Sequence, residues 1–155
     1  MFHPQLKWEI PAEGQADIVV GMEPVEALRV VTDYGNPKTR VIVSPRPIYP
    51  IWVLAGQATC PPLEEIIGKL KKLVAKVEVV QLSKDGKAPL PMNILMIGAL
   101  AGSGMVPVAV KSFEEVMREI FAPKDLERNL KAFRAGIEAL KKRGSPAKSR
   151  TGRRK

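Results

Sequence analysis

Apolar residues between positions 17 and 22 arrive as a block rather than in alternation: Asp17-Ile18-Val19-Val20-Gly21-Met22. A block of that length closing on a glycine predicts a strand buried on both faces. Glu23-Pro24 then starts a helix, because proline suits a first turn, where its missing N–H would be unpaired in any case. Val25, Leu28 and Val31 supply the expected buried face, and Tyr34-Gly35-Asn36-Pro37 ends the helix. Thr39-Arg40-Val41-Ile42-Val43 is a second β-branched run. Strand, helix and strand within residues 17–43 make a βαβ unit, which implies a parallel sheet.

Pro45, Pro47 and Pro50 predict an irregular stretch leading into Ile51-Trp52-Val53-Leu54. Pro61-Pro62 opens another helix, with Leu63, Ile66, Ile67, Leu70, Leu73 and Val74 at helical spacing. Val77-Glu78-Val79-Val80-Gln81-Leu82 reads as a third strand, closed by a turn at Lys84-Asp85-Gly86-Lys87. Only helices are expected beyond it. Ser112 and Glu115 have the spacing of a capping box before Val116, Met117 and Ile120. Leu126, Leu130, Phe133, Ile137 and Leu140 recur at four and three, a narrow stripe for docking on a neighbouring element. The expected architecture is a three-layer α/β/α domain with a mainly parallel sheet and a helical C-terminal third.

Residues 88–110 carry no charge, which raises the question of a membrane span. Pro89, Pro91 and Pro107 interrupt them, and the unbroken part, residues 93–105, gives a helix of about 20 Å. A bilayer core is about 30 Å thick, so a buried helix is the better reading. Gly98 and Gly102 lie four apart in apolar surroundings, and with Gly104 they predict close helix packing rather than a phosphate loop. Ser103 lacks the strand-turn setting of a nucleophile elbow.

Composition changes the picture in two places. The chain has one cysteine, Cys60, which excludes an internal disulfide and a cysteine-ligated cluster within one copy, and one histidine, His3, which argues against a zinc site or a Ser-His-Asp arrangement. Cys60, just before the proline pair, is read as structural. No secretory signal opens the sequence, so a cytoplasmic location is expected. The net charge of +9 is not spread evenly. Residues 141–155 hold eight basic side chains and no acidic one, whereas residues 1–140 hold 17 basic and 16 acidic. The chain therefore divides into a near-neutral domain, 1–140, and a basic tail, 141–155, whose composition predicts disorder.

Three stretches together resemble a known family. Ala16-Asp17-Ile18-Val19-Val20-Gly21-Met22-Glu23-Pro24-Val25-Glu26-Ala27-Leu28-Arg29 is similar to the strand–helix signature of the gamma-type domain of 2-oxoacid:ferredoxin oxidoreductases. Its Glu-Pro-x-Glu-Ala-Leu-Arg form most resembles the beta subunits of the indolepyruvate ferredoxin oxidoreductases. Asn93-Ile94-Leu95-Met96-Ile97-Gly98-Ala99-Leu100 and Asn129-Leu130-Lys131-Ala132-Phe133-Arg134-Ala135-Gly136 resemble two helices of that family, in the right order. The family's opening strand and glycine-rich loop have no counterpart before Ile10, so the sheet is expected to be incomplete on its N-terminal side. The resemblance then implies either an apolar strand edge filled from outside, by a separately encoded N-terminal fragment, a partner subunit or a second copy, or a sequence whose start is misplaced or truncated.

The resemblance implies an accessory subunit of a ferredoxin-dependent oxidoreductase that converts an arylpyruvate, indolepyruvate first, and CoA to acyl-CoA and CO2. Thiamine diphosphate and iron–sulfur clusters would sit in a partner subunit, with ferredoxin as electron acceptor and no cofactor on this chain. Asp85-Gly86 departs from a thiamine motif and reads as a turn. Glu23, at the carboxyl end of the first strand, has two readings, a helix-capping carboxylate or a ligand site. Arg29 is either an ion-paired surface residue or an interface contact, and Asn93 either a helix N-cap or a substrate or interface contact. The basic tail reads as a solubilising segment, an attractor of acidic ferredoxin, or a nucleic-acid contact. The last lacks support from a basic, aromatic-bearing face on the domain. The competing function is a stand-alone ligand- or nucleic-acid-binding α/β module.

Overall fold

The computed structural model describes residues 11–46, 56, 59–80 and 90–141, in two compact units that divide after Val79. The first unit runs β1 (Ile18–Gly21), α1 (Pro24–Tyr34), β2 (Arg40–Val43), α2 (Leu63–Leu73), β3 (Lys76–Val79). Its strands form a parallel sheet in the order β1-β2-β3, with Val19 beside Val41 and Val41 beside Val77. That register puts Val19, Val41, Val43 and Val77 on one face. There they join Ala27 and Val31 of α1 and Ile66 and Leu70 of α2 in a single core. Both helices thus cover the same face. Val41 and Leu70 are fully enclosed, and each side chain of this size contributes roughly 1.5–3 kcal/mol by leaving water.

The α/β class, the parallel sheet and all three strands agree with the sequence pattern. The faces differ in detail. The buried positions of α1 are Pro24, Ala27 and Val31, while Val25 is exposed and Leu28 half-buried. The contact stripe follows small Ala27, which lets the helix sit close to the strand. Nor is β1 closed on both faces, since Val20 is 37% and Met22 51% exposed. β1 is an edge strand, and among the described residues nothing pairs with its other side. On the second face of the sheet, Lys76 donates to Glu78 at 2.8 Å and Arg40 lies 3.5 Å from the same carboxylate. The predicted segment 51–54 and the turn at 84–87 lie outside the described residues, as does the basic tail beyond Lys141.

The second unit is helical: α3 (Met92–Gly102), α4 (Val110–Ile120) and α5 (Pro123–Lys141). Its core gathers Ile94, Ala101, Met117, Ala132, Phe133 and Ile137, with Phe113 tilted against Phe133 at 5.8 Å between ring centroids. The α5 stripe is as predicted, with Phe133, Ile137 and Leu140 buried and Leu126 and Leu130 at its margin. Gly98 and Gly102 do pack helices, whereas Gly104 sits in a left-handed turn at φ +67° with nothing within 4 Å of its Cβ position. A Cβ on Gly98 would strike the Phe133 main chain, and one on Gly136 would strike Leu95 O and lie 2.7 Å from Ala99 N. No helix of the described residues is long and apolar enough to cross a membrane.

Two capping expectations fail here. The Ser112–Glu115 box does not form, because α4 starts at Val110 and Ser112 lies inside its first turn, its N–H on Ala109 O at 3.0 Å. Asn93 is not an N-cap. Pro91 occupies that place with non-helical φ and ψ of −56° and 112°, its carbonyl accepting from Leu95 N–H, and Asn93 is an exposed residue of the first turn.

Candidate functional site along the free edge of β1

The corner between β1 and α1 is built from four residues. Glu23 is the N-cap of α1, and its two carboxylate oxygens accept from Val25 N–H at 3.0 Å and Glu26 N–H at 2.7 Å. These are two of the main-chain donors that a helix start leaves without partners. Pro24 follows, so the turn has no further N–H there. Gly21 is required by proximity rather than by φ: a Cβ there would lie 2.5 Å from Ala27 Cβ. Glu23 is 7% exposed, so its capping bonds are shielded from competing water.

A mainly apolar groove of about 590 Å³ runs along this corner. Pro11, Ile18, Val20 and Met22 line one side, and Glu26, Val30 and Tyr34 of α1 line the other, with Glu23 at the end. The amino end of β1 is fixed by main-chain and side-chain bonds. Ala16 N–H donates to Tyr34 O at 2.8 Å, and Thr39 Oγ1 donates to Ala16 O at 2.6 Å. Asn36 Nδ2 donates to Gly14 O at 3.0 Å, tying down the turn that precedes the strand. At the carboxyl end, buried Ser44 donates its N–H to Gly21 O at 2.9 Å and accepts Arg46 N–H on its hydroxyl at 3.2 Å.

The three residues singled out from the sequence are not gathered into one site. Glu23 is buried in the cap. Arg29 stands exposed on α1, with its guanidinium on Glu26 at 2.8 Å and Asp33 at 3.6 Å, and the Glu26 hydrogen bond raises its pKa further. Asn93 belongs to the second unit. The groove itself was missed, although Val30 and Tyr34, apolar positions of α1 outside the expected Val25, Leu28 and Val31 stripe, were a signal for it. The second unit carries its own ionic clamp, in which Glu114 on α4 accepts from Arg134 of α5 at 2.9 Å and from Arg118 at 3.0 Å. Arg134 first, and Arg118 with it, hold the Glu114 carboxyl below its ordinary range. Among the described residues no cluster of histidine, cysteine or acidic side chains is arranged to hold a metal ion.

Residues 5–139 match the family model described as pyruvate ferredoxin/flavodoxin oxidoreductase. The chain belongs to this oxidoreductase family. It is 37% identical over 127 residues to the indolepyruvate oxidoreductase subunit IorB of Archaeoglobus fulgidus, covering 80% of this chain and 63% of that protein. The IorB of Pyrococcus horikoshii is 34% identical over 137 residues, covering 83% and 65%. That of Methanothermobacter thermautotrophicus is 28% identical over 130 residues, covering 82% and 66%. The chain thus spans just under two thirds of the length of these curated relatives. The family match extends across both units, and the three stretches that carried the resemblance fall on α1 with its strand, on α3 and on α5.

Proposed function

We propose that this oxidoreductase-family chain is an accessory subunit of a ferredoxin-dependent 2-oxoacid oxidoreductase acting on arylpyruvates, indolepyruvate first. The observation that supports this reading is the likeness to several proteins named as one subunit, IorB, of indolepyruvate oxidoreductases, over 80% or more of this chain. The reaction joins the acyl part of the 2-oxoacid to CoA, releases CO2 and passes the electrons to ferredoxin. Its thiamine diphosphate and iron–sulfur clusters belong to a partner subunit, since one cysteine cannot supply the four thiolates of a cluster. Glu23 holds the β1–α1 corner. Arg29 and Asn93, both exposed, are available to the partner surface. The basic run 141–155 draws in acidic ferredoxin by charge, which needs no fixed structure. The complex works in the cytoplasm.

The test is reconstitution. This chain is purified alone and together with a subunit carrying thiamine and cluster-cysteine motifs, and each sample is given indolepyruvate, CoA and ferredoxin. Co-elution with turnover only in the pair is expected. Turnover by this chain alone, or a pair that neither co-elutes nor turns over, overturns the reading.

A further inference from the structure

The acidic and basic side chains of the first unit are largely sorted by end. Glu23 and Glu26 stand at the start of α1 and Glu64 and Glu65 at the start of α2, on the side of the sheet where the strands end. Basic side chains gather at the opposite end. Lys71 and Lys72 close α2, Arg40 and Lys76 begin β2 and β3 as neighbours in register, and Lys38 leads into β2. The main chain holds these pieces together. Ala75 N–H donates to Thr39 O at 2.9 Å, so the link from α2 to β3 lies against the entry to β2.

The helix dipole explains part of this sorting, since carboxylates suit a helix start and ammonium groups a helix end. It does not explain the rest. α1 has no basic residue in its last turn, and Lys38, Arg40 and Lys76 belong to no helix. Of the acidic side chains at this end, Glu13 and Asp17 stand on the β1 side, and Asp33 is paired with Arg29. Glu78 answers Lys76 at 2.8 Å and Arg40 at 3.5 Å. Lys38, Lys71 and Lys72 are exposed and have no ion pair among the described residues. Leu73, next to Lys72, is 45% exposed.

This surface selects a class of partner. Open parallel sheets hold small ligands at the carboxyl ends of their strands, which is the other end. The buried centre of a lasting subunit interface is poor in lysine, whereas electron-transfer encounters are small, weak and steered by charge. Single-stranded nucleic acid asks for aromatic platforms between the cations, and residues 36–43 and 63–79 contain no aromatic side chain.

We propose that Lys38, Lys71 and Lys72, with exposed Leu73 beside them, form a docking surface for a transient acidic protein partner. Resting on the accessory role proposed above, that partner is the acidic electron acceptor, ferredoxin. Lys76 and Arg40 extend the positive field toward the sheet.

The reconstituted pair is assayed with indolepyruvate and CoA while ferredoxin is varied. Lys38→Glu/Lys72→Glu should raise the KM for ferredoxin about ten-fold at low salt and flatten its salt dependence. The kcat at saturating ferredoxin, and turnover with a small artificial electron acceptor, should stay as in wild type. Where the reversal disturbs the fold, Lys38→Gln/Lys72→Gln is measured and should raise KM about three-fold. Lys124→Glu/Lys131→Glu, an exposed pair on α5, makes the same change in net charge and should leave KM within about two-fold of wild type. A KM that the Lys38/Lys72 variants leave unchanged overturns the docking surface, while turnover by the pair upholds the accessory role. A KM raised equally by the α5 pair assigns the effect to overall charge and rejects the surface. Binding of a short RNA oligonucleotide that is lost in Lys38→Glu/Lys72→Glu, with KM unmoved, gives the surface to nucleic acid and rejects the proposal too. A pair that does not turn over overturns the accessory role and this inference with it.

Discussion

Replacing Gly136 by alanine sets two effects of opposite sign against each other. Intrinsic helix propensity favours alanine by about 1 kcal/mol, so an α5 packed at ordinary distance would gain stability. The geometry says the reverse. The added methyl would strike Leu95 O and stand 2.7 Å from Ala99 N, and both are main-chain atoms of α3 that no rotamer change can move. The two helices would have to separate, and the Gly98–Phe133 contact, where a Cβ would lie 2.8 Å from Phe133 C, belongs to the same crossing. Overpacking of a well-packed core typically costs 1–3 kcal/mol, and main-chain against main-chain sits at the upper end of that range. We therefore expect Gly136→Ala to destabilise the second unit by about 2 kcal/mol net. Gly68→Ala in α2 is the matched control, because nothing lies within 4 Å of its Cβ position. It should stabilise by about 0.5–1 kcal/mol. Amide exchange of α3 and α5 reads the effect unit by unit, which a single global unfolding curve would blur in a chain with two units. Equal or greater protection of α3 in Gly136→Ala would refute the close crossing.

Three further outcomes can be checked by amide exchange followed in the unit concerned. Gly21→Ala should cost about 1–3 kcal/mol through its 2.5 Å approach to Ala27 Cβ, and Ala27→Gly should partly rescue it, with a coupling of about 1 kcal/mol; strict additivity would sink the contact. Glu23→Ala should lose about 1 kcal/mol, the cost of an N-cap, and leave the Arg29 ion pair intact; unchanged stability would show that the carboxylate does not cap. Glu114 has its pKa lowered in the folded chain, so its stabilisation is present above the ordinary carboxylate range and is lost as pH falls through the lowered value. The difference between wild type and Glu114→Gln should be up to about 1 kcal/mol at pH 7, since Arg134 and Arg118 are about half exposed, and should shrink toward zero as the solution is acidified; a difference independent of pH would refute the clamp.

Elements whose signal is local were legible in the sequence. Ile18 to Gly21, Arg40 to Val43 and the helix after Pro61-Pro62 each declare themselves in a window shorter than a dozen residues. What a residue faces is not local, and there the pattern reached its limit. Val25 and Ala27 are both apolar, and only the small approach distance between α1 and β1 selects Ala27 for the core. Ser112 and Glu115 have the spacing of a capping box, but α4 is already under way at Val110. Asn93 is a good cap residue placed two positions late, behind Pro91, whose ring fixes its φ and which takes the cap with a non-helical ψ. The continuous apolar run of β1 gave the strand and concealed its open edge, since hydrophobicity alone does not say which strand lies outermost.

The residues that carry the family resemblance turn out to be those that bring main chains together. In the first stretch Gly21 admits Ala27, Glu23 caps the turn and Pro24 opens it. In the second and third, Gly98 and Gly136 interlock α3 with α5 around Phe133, and buried Asn129 donates to Asp125 O at 3.0 Å within α5. Each requirement is met inside its own unit and asks nothing of a bound ligand. These motifs are therefore reasons for the fold, and a role in catalysis does not follow from their presence. Function has to be sought where the fold leaves groups unspent. Among the described residues of the first unit these include the outward main-chain groups of Ile18 and Val20, the groove beside them and the exposed side of α1 at Arg29. Main-chain groups on a strand edge and an apolar trough recognise extended polypeptide rather than a small charged metabolite. For the first unit this favours contact with protein, in keeping with the accessory role proposed above.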